Sequence, residues 1–160
     1  MTWIGFILKA QTQYNIHSPF VFELYRNALF ARTSQGIVRQ LGIRKHRDYY
    51  MLLYRLLIYF KPTEVVLSDK DGAAIKTIEA ALPSCHINVS ANGPSSPTEV
   101  CCKDFELLPY PHTNKEQEKT FIEHCEEDGV TASIDMYYAG LIFRNPQLSR
   151  QHFLLRSCAL

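Results

Sequence analysis

The chain has 160 residues, 46% of them hydrophobic and 21% charged, ordinary globular values for a length that buries one core without disulfides or metals to hold it. Seventeen Lys and Arg stand against sixteen Asp and Glu, a formal net charge of +1. No global field therefore draws it to nucleic acid or to an anionic membrane, and neither is expected as a partner.

Residues 2 to 12 predict a first helix with Trp3, Ile4, Ile7 and Leu8 on one side, an aromatic content that implies burial or a partner. The run has no basic leader and is cut by Lys9, so it does not read as a signal peptide. After a polar break at Gln11 to Asn15, the segment IHSPFVFELYRNALF predicts a helix from Pro19 to about Ala31, with Ser18 as N-cap and Pro19 at the first helical position. Val21, Phe22, Tyr25, Ala28 and Leu29 form its core-facing stripe. His17, just before the cap, either meets a ligand or moves a proton, or hydrogen-bonds the adjoining backbone. Thr33 to Gly42 reads as a connector with a short helical turn.

The next helix, Lys45 to Phe60, has the cleanest pattern, with Tyr49, Leu52, Leu53, Leu56, Leu57 and Phe60 on one stripe. Its apolar run carries Arg55 at the centre and is far shorter than the ~20 residues that cross a bilayer. Arg44, Lys45, His46 and Arg47 stand at its start, where the helix dipole disfavours positive charge. They form either an anion-docking site or a solvated patch.

Lys61-Pro62 stops that helix and leads into a strand from Glu64 to Ser68. A helix from Gly72 to Leu82 and a second strand from His86 to Ser90 follow, closed by Asn92-Gly93-Pro94. Ala73, Ala74, Ile75, Ile78, Ala81 and Leu82 favour helix over a hairpin turn at Asp71-Gly72. Strand, turn, helix and strand make a βαβ unit, which binds ligands at the carboxyl end of its strands. Asp69 and Asp71 flank Lys70 in the turn and either bind a cation or a cofactor amine, or cap the helix.

Residues 94 to 114 are proline-rich, with room for one short strand around Val100 or Phe105 to Leu108. Helix signals resume at Asn114 with a capping-box-like pattern to Gln117 and stop at Gly129. The stretch VTASIDMYYAGLIFR then predicts an antiparallel hairpin, with its turn at Ala139-Gly140, that ends the sheet, with the tail from Pro146 to Leu160 against it. Asp135 in that hairpin is expected to pair with a basic residue of the N-terminal helices. Five cysteines (Cys85, Cys101, Cys102, Cys125, Cys158), odd in number and without a C-x-x-C pair, predict reduced thiols in a cytoplasmic protein. Vicinal Cys101 and Cys102 are either a redox sensor or two small apolar strand residues. The six histidines never fall at metal-ligand spacing, so no metal is expected. There is no G-x-S-x-G elbow, Walker A loop or H-E-x-x-H motif.

Three segments, IHSPFVF at 16 to 22, LIYFKPTEVVL at 57 to 67 and VTASIDMYYAGLIFRNPQLSRQHFLLR at 130 to 156, set in this order of elements, resemble the class I S-adenosylmethionine-dependent methyltransferases. The resemblance is to a bacterial branch of predicted O-methyltransferases with an HSPFVF helix before the cofactor domain and an IDxxxxGLxF hairpin at its end. It implies a single α/β domain over residues 1–160, with a helical part at 1–60 and a shortened Rossmann-like, methyltransferase-type sheet closed by an antiparallel hairpin at 61–160. It further implies that S-adenosylmethionine, if bound, is held by Ser68, Asp69, Asp71, Gly72 and Asn92. The motif is eroded, however. In the family's E-x-G-x-x-x-G loop Val66 replaces the acid and Ser68 the first glycine, Gly72 alone matching, while Asn92 stands for the ribose-binding acid.

Pro94 to Thr113 cannot hold the family's three further strands and crossover helices, at about 30 residues per βαβ unit. Pro109 and Tyr110 occupy the place of an acidic pair. The expectation is a degenerate relative without methyl-transfer activity or bound cofactor, acting as a binding or assembly module. Its partner, a second copy or another protein, would meet the helices from Trp3 to Phe30. The alternative is an active S-adenosylmethionine-dependent O-methyltransferase on a small molecule, which requires an open pocket at the carboxyl ends of the first two strands. A third reading is a nucleic-acid adaptor through Arg39, Arg44, Lys45 and Arg47.

Overall fold

The computed structural model describes residues 1–10, 16–91, 93 and 96–156. The polar break at 11–15, Asn92 with its neighbours Pro94 and Ser95, and the last four residues with Cys158 lie outside them. The helical part opens with α1 (Trp3–Lys9), whose N-cap Thr2 accepts a hydrogen bond from Gly5 N. Helix α2 (Pro19–Leu24) starts as the Ser-Pro pair predicts, with Ser18 Oγ accepting from Val21 N at 3.4 Å. It then widens into a π-helical turn over Tyr25–Leu29. Arg55, the charge inside the apolar run, explains how that turn ends: its Nε donates to Ala28 O at 2.8 Å and its Nη1 to Thr33 Oγ1 at 3.2 Å. With Nη2 also reaching Leu29 O at 3.5 Å, the guanidinium serves two carbonyls that a helix end leaves without partners.

The expected connector contains a helix, α3 (Gln35–Leu41), capped by Ser34 and ended by Gly42 in the left-handed conformation, φ 62°. Helix α4 (Arg47–Phe60) is more deeply buried than one stripe requires, because Tyr50 and Met51 are enclosed along with Tyr49, Leu52, Leu53, Leu56 and Leu57. It lies against α5 and the π turn as well as the sheet core.

Seven strands form one sheet: β1 (Glu64–Leu67), β2 (His86–Val89), β3 (Val100–Cys101), β4 (Glu106–Pro109), β5 (Ala132–Asp135), β6 (Ala139–Phe143) and β7 (Gln151–Leu154). Helix α5 (Gly72–Ala81) links β1 to the parallel β2, and α6 (Lys115–Glu126) links β4 to β5. Their order is β2-β1-β3-β4-β6-β5-β7. The pairings make β3 and β6 antiparallel to the other five. The protein is therefore mixed α/β with a mixed sheet.

Three expectations change here. The proline-rich middle holds two strands, β3 and β4, joined by a tight turn in which Cys102 N donates to Phe105 O at 2.9 Å. The β5–β6 hairpin forms, but its turn falls at 136–138, where Met136 N donates to Ala139 O at 2.9 Å, and the expected turn residues Ala139 and Gly140 lie inside β6, Gly140 paired with Asp135 of β5. Nor does the hairpin end the sheet: the tail adds β7 alongside β5, in parallel. Periodicity finds strands but not their neighbours, and a parallel pairing between β5 and β7 rests on contacts far apart in sequence.

Register explains the core. Leu67, Val100, Leu107, Leu141, Ile134 and Phe153 form one apolar row across six strands, on the face that packs with α4 and α5. On the opposite face Leu108 and Ile142 make a smaller cluster with Val130 and Phe121 of α6. Among the described residues no helix is long and apolar enough to cross a membrane.

Candidate functional site

The turn after β1 brings Ser68, Asp69, Asp71 and Gly72 together, and the segment after β2 places Gly93 against it. An added Cβ on Gly93 would lie 3.1 Å from Asp69 Oδ1. Asn92 lies outside the described residues. Gly72 opens α5 with nothing beyond its own chain neighbours and helix backbone within 4 Å of an added Cβ, so no close approach demands a glycine there.

Asp71 is buried, 2% exposed, and all its lone-pair capacity is used within the chain. Its Oδ1 accepts from Ala73 N at 2.9 Å and Ala74 N at 3.2 Å, which caps α5. Its Oδ2 accepts from the Tyr50 hydroxyl at 2.6 Å and Thr98 N at 3.2 Å. Burial and then the Asp71 carboxylate push the Tyr50 phenol well above its ordinary pKa. The hydroxyl therefore stays a donor. Tyr50 also meets Ser96 Oγ at 2.9 Å, while the Tyr49 hydroxyl reaches Thr98 O at 2.6 Å and Leu107 O at 3.2 Å.

The backbone donors of the turn are likewise engaged. Ser68 N donates to Glu99 O at 3.1 Å, Asp69 N to Thr98 Oγ1 at 3.0 Å, and Lys70 N to Gly93 O at 3.1 Å. Topology is the cause. In a parallel sheet the crevice at a switch point stays open at the strand ends. Here β3 runs backwards, so the chain entering it, residues 96–99, lies beside the turn after β1 and bonds to it.

Aromatic rings occupy the neighbouring space at the end of β4. Tyr110, held at φ 45°, sits edge-on to His46 with centroids 4.9 Å apart and lies 6.4 Å from Tyr49. Sequence reading missed Tyr49, Tyr50 and Thr98 as parts of this network. Two adjacent tyrosines on a buried helix are a signal, since each hydroxyl needs a partner, but nothing in the sequence names Thr98 as that partner.

Asp135 pairs with a histidine between β4 and α6, not with the N-terminal helices as expected. His112 Nε2 lies 2.6 Å from Asp135 Oδ2, and Tyr137 N donates to Asp135 Oδ1 at 2.8 Å. The His112 ring stacks on Tyr137 and touches Phe6, the buried anchor of α1. The pair thus reaches α1 indirectly. On the outer side of α1, Ile4 is 73% and Leu8 78% exposed, with Trp3 at 46%. The basic residues Arg39, Arg44, Lys45 and Arg47 are all exposed.

Two cavities lie elsewhere. One, about 600 Å³, opens at the amino end of β1 between Lys61, Glu64, Val66 and Cys101 to Asp104. The other, about 380 Å³, lies between α6 and β7 and is lined by Ile122, Cys125, Val130, Ser133 and His152. In it Ser133 Oγ meets His152 Nδ1 at 2.7 Å, and burial lowers the His152 pKa. The chain matches no family model, no curated protein and no solved structure.

Proposed function

We propose that this protein is a shortened methyltransferase-like α/β domain that carries out no methyl transfer and works as a binding or assembly module. The βαβ unit, the β5–β6 hairpin and the HSPFVF helix support the relationship. The observation that carries the functional reading is the closed turn after β1. The N–H groups of Ser68, Asp69 and Lys70 and both oxygens of Asp71 bond to residues 50, 73, 74, 93, 98 and 99 of the same chain. A cofactor's amino acid portion would need those groups.

The exposed row of Trp3, Ile4 and Leu8 supports the assembly part of the reading. The deciding experiment is a titration with S-adenosylmethionine and S-adenosylhomocysteine, followed by calorimetry and thermal unfolding. A ligand at 100 times its Kd adds about 2.7 kcal/mol of stability. No stabilisation at millimolar ligand is the expected result; saturable binding of either compound would overturn the proposal.

A further inference from the structure

Spacing along the sequence gives no metal motif, but sheet register and α6 bring ligand-type residues together from three elements. Cys101 faces Glu106 across the β3–β4 pair, and Glu106 faces Ile142 on β6. Alternation then sets Glu99, Cys101 and Glu106 on the face of Leu108 and Ile142, the face that α6 covers. Phe121 of α6 packs into that cluster. His124, one turn further on, comes out at its edge beside the two carboxylates.

A carboxylate oxygen of Glu99, one of Glu106 and a ring nitrogen of His124 all lie within 4.8 Å of one another, and the three residues are half-buried. Independently, His124 Nδ1 is shielded from solvent and has no hydrogen-bond partner. Buried polar atoms are otherwise almost always paired. Both carboxylates already have side-chain partners. Arg144 donates to Glu106 twice, Nε to Oε1 at 2.8 Å and Nη2 to Oε2 at 3.4 Å, and Cys101 Sγ donates to Glu99 Oε1 at 3.5 Å. Such outer partners aim ligands at a metal.

We propose that Glu99, Glu106 and His124 form a divalent-cation site, with Zn²⁺ the best-matched ion. One imidazole and two carboxylates suit a borderline ion in a tetrahedral site with a water in the fourth position. Mg²⁺ and Ca²⁺, which take oxygen ligands, fit the histidine poorly. Tetrahedral bonds of about 2.1 Å set ligand atoms roughly 3.4 Å apart, so small side-chain rotations close the site. An ion there ties α6 to the β3–β4 hairpin and leaves one position open to a ligand atom from outside.

The test is calorimetric titration of Zn²⁺, and separately Mg²⁺, into the chelator-treated full chain, with thermal unfolding alongside. One Zn²⁺ per chain with a raised Tm is expected, together with far weaker Mg²⁺ binding. His124→Gln and Glu99→Gln should each weaken Zn²⁺ at least tenfold, while His86→Gln, on the distant strand β2, should not. Absence of Zn²⁺ binding, or binding that both variants leave unchanged, overturns the site. Should the variants misfold, the imidazole NMR signals of the unaltered chain decide: Zn²⁺ must shift those of His124, and an unmoved His124 overturns the proposal equally.

Discussion

Asp71 caps a helix and closes a loop with one carboxylate, and its replacement separates the two roles. Asp71→Ala removes the cap, worth about 1 kcal/mol, and leaves the Tyr50 hydroxyl and Thr98 N–H without the charged acceptor that serves both. Hydrogen bonds to a charged group contribute ≈ 1.5–3 kcal/mol. The expected loss is about 2–4 kcal/mol by urea unfolding, with Asp71→Asn losing less because asparagine still caps. A loss below about 0.5 kcal/mol for alanine would mean that the turn is held by its backbone bonds alone. His152 gives a pH dependence at the same scale. Burial lowers its folded pKa beneath the ordinary 6.5, so the unfolded chain binds more protons in the window just under 6.5. Its contribution is complete above that value and is lost as pH falls through the window toward the folded pKa. Thermal unfolding between pH 7.5 and 5 should therefore show Tm falling less steeply for His152→Gln than for the unaltered protein, and identical slopes would refute the assignment.

At the scale of elements, the docking of α6 depends on a missing side chain. A Cβ built on Gly140 of β6 would land on the ring of Phe121, the buried residue of α6. Strand β6 thus carries glycine because a helix presses on it, not because its backbone needs φ above zero. Gly140→Ala should cost about 1–3 kcal/mol through overpacking. Adding Phe121→Leu should recover part of that, a non-additivity that a double-mutant cycle measures. Equal and additive losses would show that the two residues do not press on each other. The same element bears His124 and Cys125, so its seating governs both the acidic cluster and the cavity beside β7.

Over the whole molecule, the two faces of the sheet are unlike. The face packed with α4 and α5 is an unbroken apolar row, whereas the opposite face is apolar under α6 and carries Glu64, His86 and Asn88 on β1 and β2. Asn88 Nδ2 donates to Glu64 Oε1 there. These polar strand residues suit contact with water. Among the described residues the two most exposed large apolar side chains, Ile4 and Leu8, lie one helical turn apart on α1 and face outward. If α1 is an assembly surface, sedimentation should show association that rises with concentration and is abolished by Ile4→Glu with Leu8→Glu. A monomer at every concentration would remove the assembly part of the proposal and leave the closed turn untouched.

The helices, the βαβ unit and the β5–β6 hairpin were legible in the sequence because each depends on local signals. Ser18-Pro19 starts α2, the i, i+3, i+4 stripe defines α4, Asp71 begins α5 and Asn114 caps α6. Helix α3 reads in the sequence only as a short helical turn because Gly36 weakens its pattern, although Ser34 and Gly42 cap it at both ends. Tertiary structure alone decided the reversed direction of β3, the extra strand β7, the Asp135–His112 pair and the meeting of Glu99, Glu106 and His124. Each is a pairing between segments distant in the chain, set by which apolar rows align across the sheet. Side-chain alternation fixes which face a residue takes, but only the packed sheet determines which strand lies beside it. The reversal of β3 brings residues 96–99 to the turn after β1, which the sequence alone reads as a ligand-binding turn, and bonds them to it.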